Sequence, residues 1–249
     1  MPSKATLDAA LARYAASLAT KQASTARSST LVDLDEWYTT TLREPLKQRQ
    51  SQSEGEYWLE QDELLRLMQW KLARGKWRPR LESLAASNSP TSIRTASSTL
   101  SASFPLSPTE AKTLLTALCE LKGVGPATAS AILAAYDPER EPFMSDPALE
   151  FVHAKSDDPA DNRPGKREYT VKAWQEFRRQ MQERTEAERW GSVAELERAL
   201  WSWGIEQQLG GEHARDDKNQ GTKRTKCQSE QGTRSTMRGH KKAKPAETP

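Results

Sequence analysis

The chain is poor in the residues that staple small folds or bind metals. Its two cysteines, Cys119 and Cys227, are too few for a disulfide framework or for a four-thiolate zinc or iron–sulfur centre. Its three histidines, His153, His213 and His240, are scattered, so no His/Cys metal constellation can be assembled and neither metal nor cofactor is expected. No stretch approaches the roughly 18 apolar residues that cross a bilayer, which excludes a membrane-spanning class. The opening residues Met1 to Ala5 lack the apolar core of a signal peptide, an expectation against secretion. Alternating β-branched runs are missing as well, so a sheet is not expected.

Helical periodicity takes their place. Leu7, Leu11, Tyr14 and Leu18 recur at helical spacing, as do Leu64, Leu67, Met68 and Leu72. Further on come Leu114, Leu115 and Leu118, then Val171, Trp174 and Met181, then Val193, Leu196, Leu200 and Trp203. Asp33 with Glu36, and Ser107 with Glu110, have capping-box spacing, and Pro108 stands where a first helical turn needs no amide hydrogen. Ser87 to Pro90 predicts a break, Gln22 to Ser29 a polar linker, and Asp157 to Lys166 a surface loop. The fold class is therefore all-α, one helical domain over residues 1–207.

Charge is unevenly spread. Residues 208–249 hold ten Lys/Arg against five Asp/Glu, whereas the rest holds 27 against 29. After Leu209 the only large apolar side chain of this tail is Met237, too little to offset ordering entropy, so a disordered basic tail is expected. Lys223-Arg224-Thr225-Lys226 and Arg238 to Pro245 are basic clusters of the nuclear-import or nucleic-acid type, and a merely solubilising tail is the plainer alternative.

Two segments are more specific. In Leu121-Lys122-Gly123-Val124-Gly125-Pro126-Ala127-Thr128-Ala129-Ser130-Ala131-Ile132-Leu133, two helices meet at Gly-Val-Gly. Both glycines can take positive φ, Val124 can plug into the core, and the amides opening the second helix would face an anion favoured by the helix dipole. Gly123, Val124, Gly125, Ala127 and Thr128 are thus candidate phosphate-binding residues, with the Thr128 hydroxyl as an added donor. A bare helix–Gly–helix corner is the alternative. The second segment runs from Trp70 to Leu81, where Lys71, Arg74, Lys76, Arg78 and Arg80 interleave with aromatics. It reads as a phosphate track in which Trp77 stacks on a base, or else as basic residues complementing a helix C-terminus at Gly75. The alternation from Arg178 to Arg189 reads as a solvated helix face, Cys119 as a small core residue, and His153 as a structural histidine.

The Gly123–Leu133 pattern resembles the helix-hairpin-helix motif, a sequence-nonspecific grip on the DNA backbone. About twenty residues later, Pro142-Phe143-Met144-Ser145-Asp146-Pro147 puts Asp146 where the helix-hairpin-helix DNA glycosylase superfamily carries its essential aspartate. Such a carboxylate stabilises the sugar cation formed when an N-glycosidic bond breaks. Asp before Pro also reads as a plain helix N-cap. The position matching the nucleophilic lysine of bifunctional members is Ala127, so the resemblance implies no lyase, and the iron–sulfur cysteines of some members are absent. Together with Trp70 to Pro79 and Trp37-Tyr38, these segments resemble the Amun-like proteins, nuclear proteins with a glycosylase-like domain, over about residues 5 to 207. The resemblance implies a helix-hairpin-helix at about residues 107–136, DNA as partner and a nuclear location. Three roles follow: a DNA-binding protein, a monofunctional glycosylase using Asp146, or a protein-interaction scaffold on a degenerate glycosylase fold.

Overall fold

A computed structural model describes residues 2–24, 30–52, 57–98, 105–152 and 167–208. The described residues are helical and contain no strand. The chain divides into two units, Met1–Glu206 and Gln207–Pro249. The second lies almost wholly outside the described residues, as do the basic clusters, His153 and the Asp157 to Lys166 segment.

In chain order the helices are α1 (Lys4–Ala12), α2 (Tyr14–Ser24), α3 (Leu31–Glu36), α4 (Arg43–Gln52), α5 (Gln61–Arg74), α6 (Leu81–Ala86), α7 (Pro90–Ser97), α8 (Pro108–Cys119), α9 (Pro126–Tyr136), α10 (Asp146–Val152) and α11 (Val171–Ala187). A twelfth, α12, covers residues 193–208, and a single π-helical turn, Trp37–Thr41, links α3 to α4. Local chemistry explains where several begin. Ser107 and Glu110 exchange reciprocal bonds at the head of α8 (3.3 and 2.8 Å), with Pro108 in the first turn. Ser89 caps α7 with its hydroxyl alone, accepting from the Ser92 amide at 3.0 Å. The Asp33–Glu36 pair is not a capping box. α3 starts at Leu31 behind Thr30, so Asp33 already lies inside the helix.

α9 is the central helix, with all nine residues from Thr128 to Tyr136 buried. Its composition, small residues with Ile132 and Leu133, lets α4, α5, α8 and α11 close around it. Three tryptophans, Trp70, Trp174 and Trp201, fill the interior. Trp70 stacks on Tyr38 with ring centres 3.6 Å apart, and the Tyr38 hydroxyl donates to the Ala131 carbonyl at 2.7 Å.

The interior also holds charge. Asp35 accepts from the Tyr14 hydroxyl (2.9 Å) and the Trp70 indole (2.8 Å). Arg74 pairs with Glu197 at 2.9 Å, and Arg178 forks onto Glu141 at 2.6 and 2.8 Å. Arg178 therefore does not belong to a solvated face: its second amine also donates to the Leu106 carbonyl at 3.0 Å. Arg179 does stand on that face, paired with Glu176 and Glu183. Cys119 is only partly buried.

Candidate functional site

The predicted hairpin is a real corner between α8 and α9, and α6 holds it in place. Asn88, just beyond α6, receives the Lys122 amide on its side-chain oxygen and donates to the Lys122 carbonyl, both at 2.9 Å. Val124 is buried, and its amide donates to the Leu121 carbonyl at 3.1 Å, so it closes the corner and offers nothing outward. The two glycines differ. Gly123 has φ of +77° and lies against the α6 backbone, where a Cβ would come within 2.8 Å of the Leu81 carbonyl. Gly125 is extended (φ −113°) rather than left-handed, and a Cβ there would meet nothing within 4 Å.

The amides divide in the same fashion. Those of Thr128 and Ala129 fold back onto the Gly125 carbonyl at 2.8 and 2.9 Å. Those of Gly123, Gly125 and Ala127 make no hydrogen bond among the described residues, and all three residues are partly exposed. No side chain caps α9. Its positive end thus keeps two spare donors, the amides of Gly125 and Ala127. Thr128 is almost fully buried with its amide already used, so it forms wall rather than a reaching donor.

The three residues line a cleft of about 210 Å³, more than ten times the ~10–15 Å³ that admits one water. Its walls bring together the hairpin, the α5 C-terminus and Asp146. Of the predicted basic track, Lys71, Arg74, Lys76 and Arg78 line it. Lys76 and Arg78 are exposed, and Lys71 is partly buried. Two predicted members do other work. Arg74 is buried, pairs with Glu197 and sits over the Trp201 ring at 4.6 Å, so it holds α5 to α12. Trp77 packs with Leu65 and Leu81 on the Met68–Leu72–Ala85 cluster, which removes it as a free stacking blade. Arg80 is exposed at the head of α6, outside the cleft lining.

Asp146 opens into the cleft with about a quarter of its side chain exposed. It is not the N-cap: the Leu149 amide returns to the Ser145 carbonyl at 2.9 Å, which puts Ser145 in the capping position. The Asp146 carboxylate instead accepts from the Tyr169 hydroxyl (2.6 Å) and the Arg167 guanidinium (3.0 Å). Burial and that carboxylate push the Tyr169 phenol well up, which keeps it a donor. Two small-residue contacts fix the approach to Asp146. Ser130 of α9 accepts the Met144 amide at 3.0 Å, and Gly204 of α12 lies so close to Pro147 that a Cβ would come within 2.6 Å of its ring.

Lys71 carries the other notable shift. Burial brings its amine down to about 8 against the attraction of Asp146, with a smaller push from Arg78 in the same direction as burial. Lys71 makes no ion pair with Asp146, whose oxygens are turned to Tyr169 and Arg167. Tyr169, Arg167 and Asn88 escaped the sequence reading. Asn88 lay in a stretch legible only as a break, and nothing in the spacing of Arg167 and Tyr169 ties them to Asp146.

In a larger depression of about 590 Å³ along α11, Arg178 is paired with Glu141 and Arg179 with Glu176 and Glu183. No group of His, Cys, Asp and Glu among the described residues could hold a metal ion, and no helix among them is long and apolar enough to cross a membrane. No protein-family model, curated protein or solved structure matches the chain.

Proposed function

We propose that this chain is a nuclear DNA-binding protein whose glycosylase-like helical domain grips the phosphate backbone through its helix-hairpin-helix corner. One observation carries the reading: Gly123, Gly125 and Ala127, whose amides make no hydrogen bond among the described residues, line the same cleft as the cations Lys71, Lys76 and Arg78. Oriented amides at a helix start, backed by exposed cations, are what a phosphate diester requires, and they read no sequence. The basic clusters of the tail support the nuclear location. Duplex binding measured against salt tests the proposal. The logarithm of affinity should fall linearly with the logarithm of salt, and Lys76→Ala and Arg78→Ala should each reduce the slope by about 1.

A second role is favoured by Asp146, whose carboxylate shares that cleft. In a monofunctional base-excision reaction it would stabilise the positive charge on a sugar whose base has been extruded. Oligonucleotides bearing uracil, alkylated or oxidised bases test this role: abasic products that vanish with Asp146→Asn support it, and their absence from every lesion removes it. A scaffold role would give neither salt-dependent binding nor abasic products.

A further inference from the structure

We propose that a second, smaller cavity of the helical unit binds one small protonated oxyanion, of the dihydrogen phosphate and bicarbonate class, through Arg43, Arg74, Arg198 and Glu197. The proposal does not rest on the DNA-binding reading.

The cavity measures about 20 Å³ and is walled by several helices and by the π-helical turn, which contributes Tyr38 and Thr39. Such turns are rare and gather at functional sites. Arg74 and Phe143 belong both to its wall and to that of the larger cleft. Most of its polar lining is already paired. The Tyr14 hydroxyl and the Trp70 indole donate to Asp35, the Tyr38 hydroxyl to the Ala131 carbonyl, and the Thr39 hydroxyl to the Asp35 carbonyl at 2.7 Å. Four atoms are left over. Arg43 Nε, Arg74 Nε, Arg198 Nε and Glu197 Oε1 are out of reach of solvent and have no hydrogen-bond partner among the described residues. Side-chain atoms of this sort number eight among the described residues, and half belong to this one small cavity. Buried donors and acceptors without partners are a standing cost to a fold, so their clustering points to a ligand.

The leftover set specifies the chemistry of that ligand. Three donors and one acceptor are complemented by a group with several acceptor oxygens and one O–H. In the lining, Arg43, Arg74 and Arg198 stand against Asp35 and Glu197, an excess of one cation that a monovalent anion balances. Arg74 and Glu197 are buried and paired with each other through their other atoms at 2.9 Å, which fixes the inner end of the site. Arg43 and Arg198 are half-buried and make no ion pair among the described residues. Burial pulls the Arg43 guanidinium below the usual arginine range; Tyr38 and the exposed Glu139 oppose this, and Arg198 adds to it. Chloride lacks the O–H that would satisfy Glu197, and fully ionised sulfate would set its charge against that carboxylate. A space little above the ~10–15 Å³ that admits one water excludes nucleotides and sugar phosphates.

Calorimetric titration and thermal melting of the full chain at pH 7 test this, with sodium phosphate, bicarbonate, sulfate and chloride at equal ionic strength. Phosphate or bicarbonate should bind at one site and raise the melting temperature by about 5–10 °C at ~100 times Kd. Sulfate and chloride should bind about 10-fold more weakly or worse. The tighter of phosphate and bicarbonate identifies the source. Arg43→Met and Arg198→Met break no ion pair and should each weaken the binding about 10-fold or more. Glu197→Gln should narrow the gap between phosphate and sulfate, because an amide donates where the carboxylate only accepts. The amides at the head of α9 carry no acceptor and draw no line between phosphate and sulfate, so the preference reads this cavity alone. Sulfate bound as tightly as phosphate, unchanged binding in both arginine variants, an unchanged preference in a folded Glu197→Gln, or no anion-specific shift overturns the proposal.

Discussion

Lys71 and Asp146 share a cleft yet are not a salt bridge, and that separation gives each its character. Burial holds the Lys71 amine near 8, while in an unfolded chain it lies near 10.5. Between those values the unfolded chain binds more protons than the folded one, so stability climbs as pH rises from about 8 towards 10.5. Below 8 the fold carries the whole cost of confining a charged amine. Lys71→Met should therefore stabilise the protein at neutral pH, by on the order of 1–3 kcal/mol, and flatten the rise above pH 8. Denaturant titrations at pH 7 and pH 10 check both. The sequence named Lys71 and Asp146 because of their neighbours along the chain. It gave no hint that Arg74 and Trp77, equally basic and aromatic, turn inward. That choice depends on Glu197 and on the Met68–Leu72–Ala85 cluster, partners that the fold selects.

At the scale of elements, the hairpin shows how two glycines in one motif do unlike things. Gly123 takes a left-handed φ against the backbone of α6, whereas Gly125 is extended and leaves open space in front of the helix start. Gly123→Ala should cost about 2–4 kcal/mol, from left-handed backbone strain and collision with the Leu81 carbonyl. Gly125→Ala should change stability by about 0.5 kcal/mol or less. Equal losses in the two melting curves would contradict this division. The Gly-Val-Gly spacing predicted a tight corner and was informative about Val124, but the α6 contact that makes only Gly123 obligatory is a tertiary fact. Helix starts were legible where the cap is local, as at Ser107 and Glu110. They were misread at Asp33 and Asp146, where the carboxylate lies one or more positions inside the helix.

The helical unit Met1–Glu206 is tied by buried charge as much as by its tryptophans. Arg178 of α11 reaches Glu141, which has no exposure, and the Leu106 carbonyl ahead of α8, so one guanidinium joins three parts of the chain. Arg178→Met would leave that carboxylate without its partner and should cost about 3–5 kcal/mol, read as a lowered denaturant midpoint. The all-α class was legible in the 3.6-residue periodicity, because that pattern is set by local geometry. Long-range pairs such as Arg74–Glu197 and Arg178–Glu141 were not, since a charged residue within a helical repeat looks alike whether it faces water or a buried partner.

The central claim is that spare amides at the head of α9 receive a phosphate of DNA, and Gly125→Glu tests it most directly. The extended backbone there accepts any residue, and a Cβ meets nothing within 4 Å, so the fold should stand. Binding to a short duplex is measured over a salt series for the native chain and the variant. The account predicts an unchanged melting temperature, an affinity at least 10-fold weaker and a shallower salt slope, because a carboxylate then stands where the phosphate would. Equal affinity and equal slope in the two proteins would contradict it.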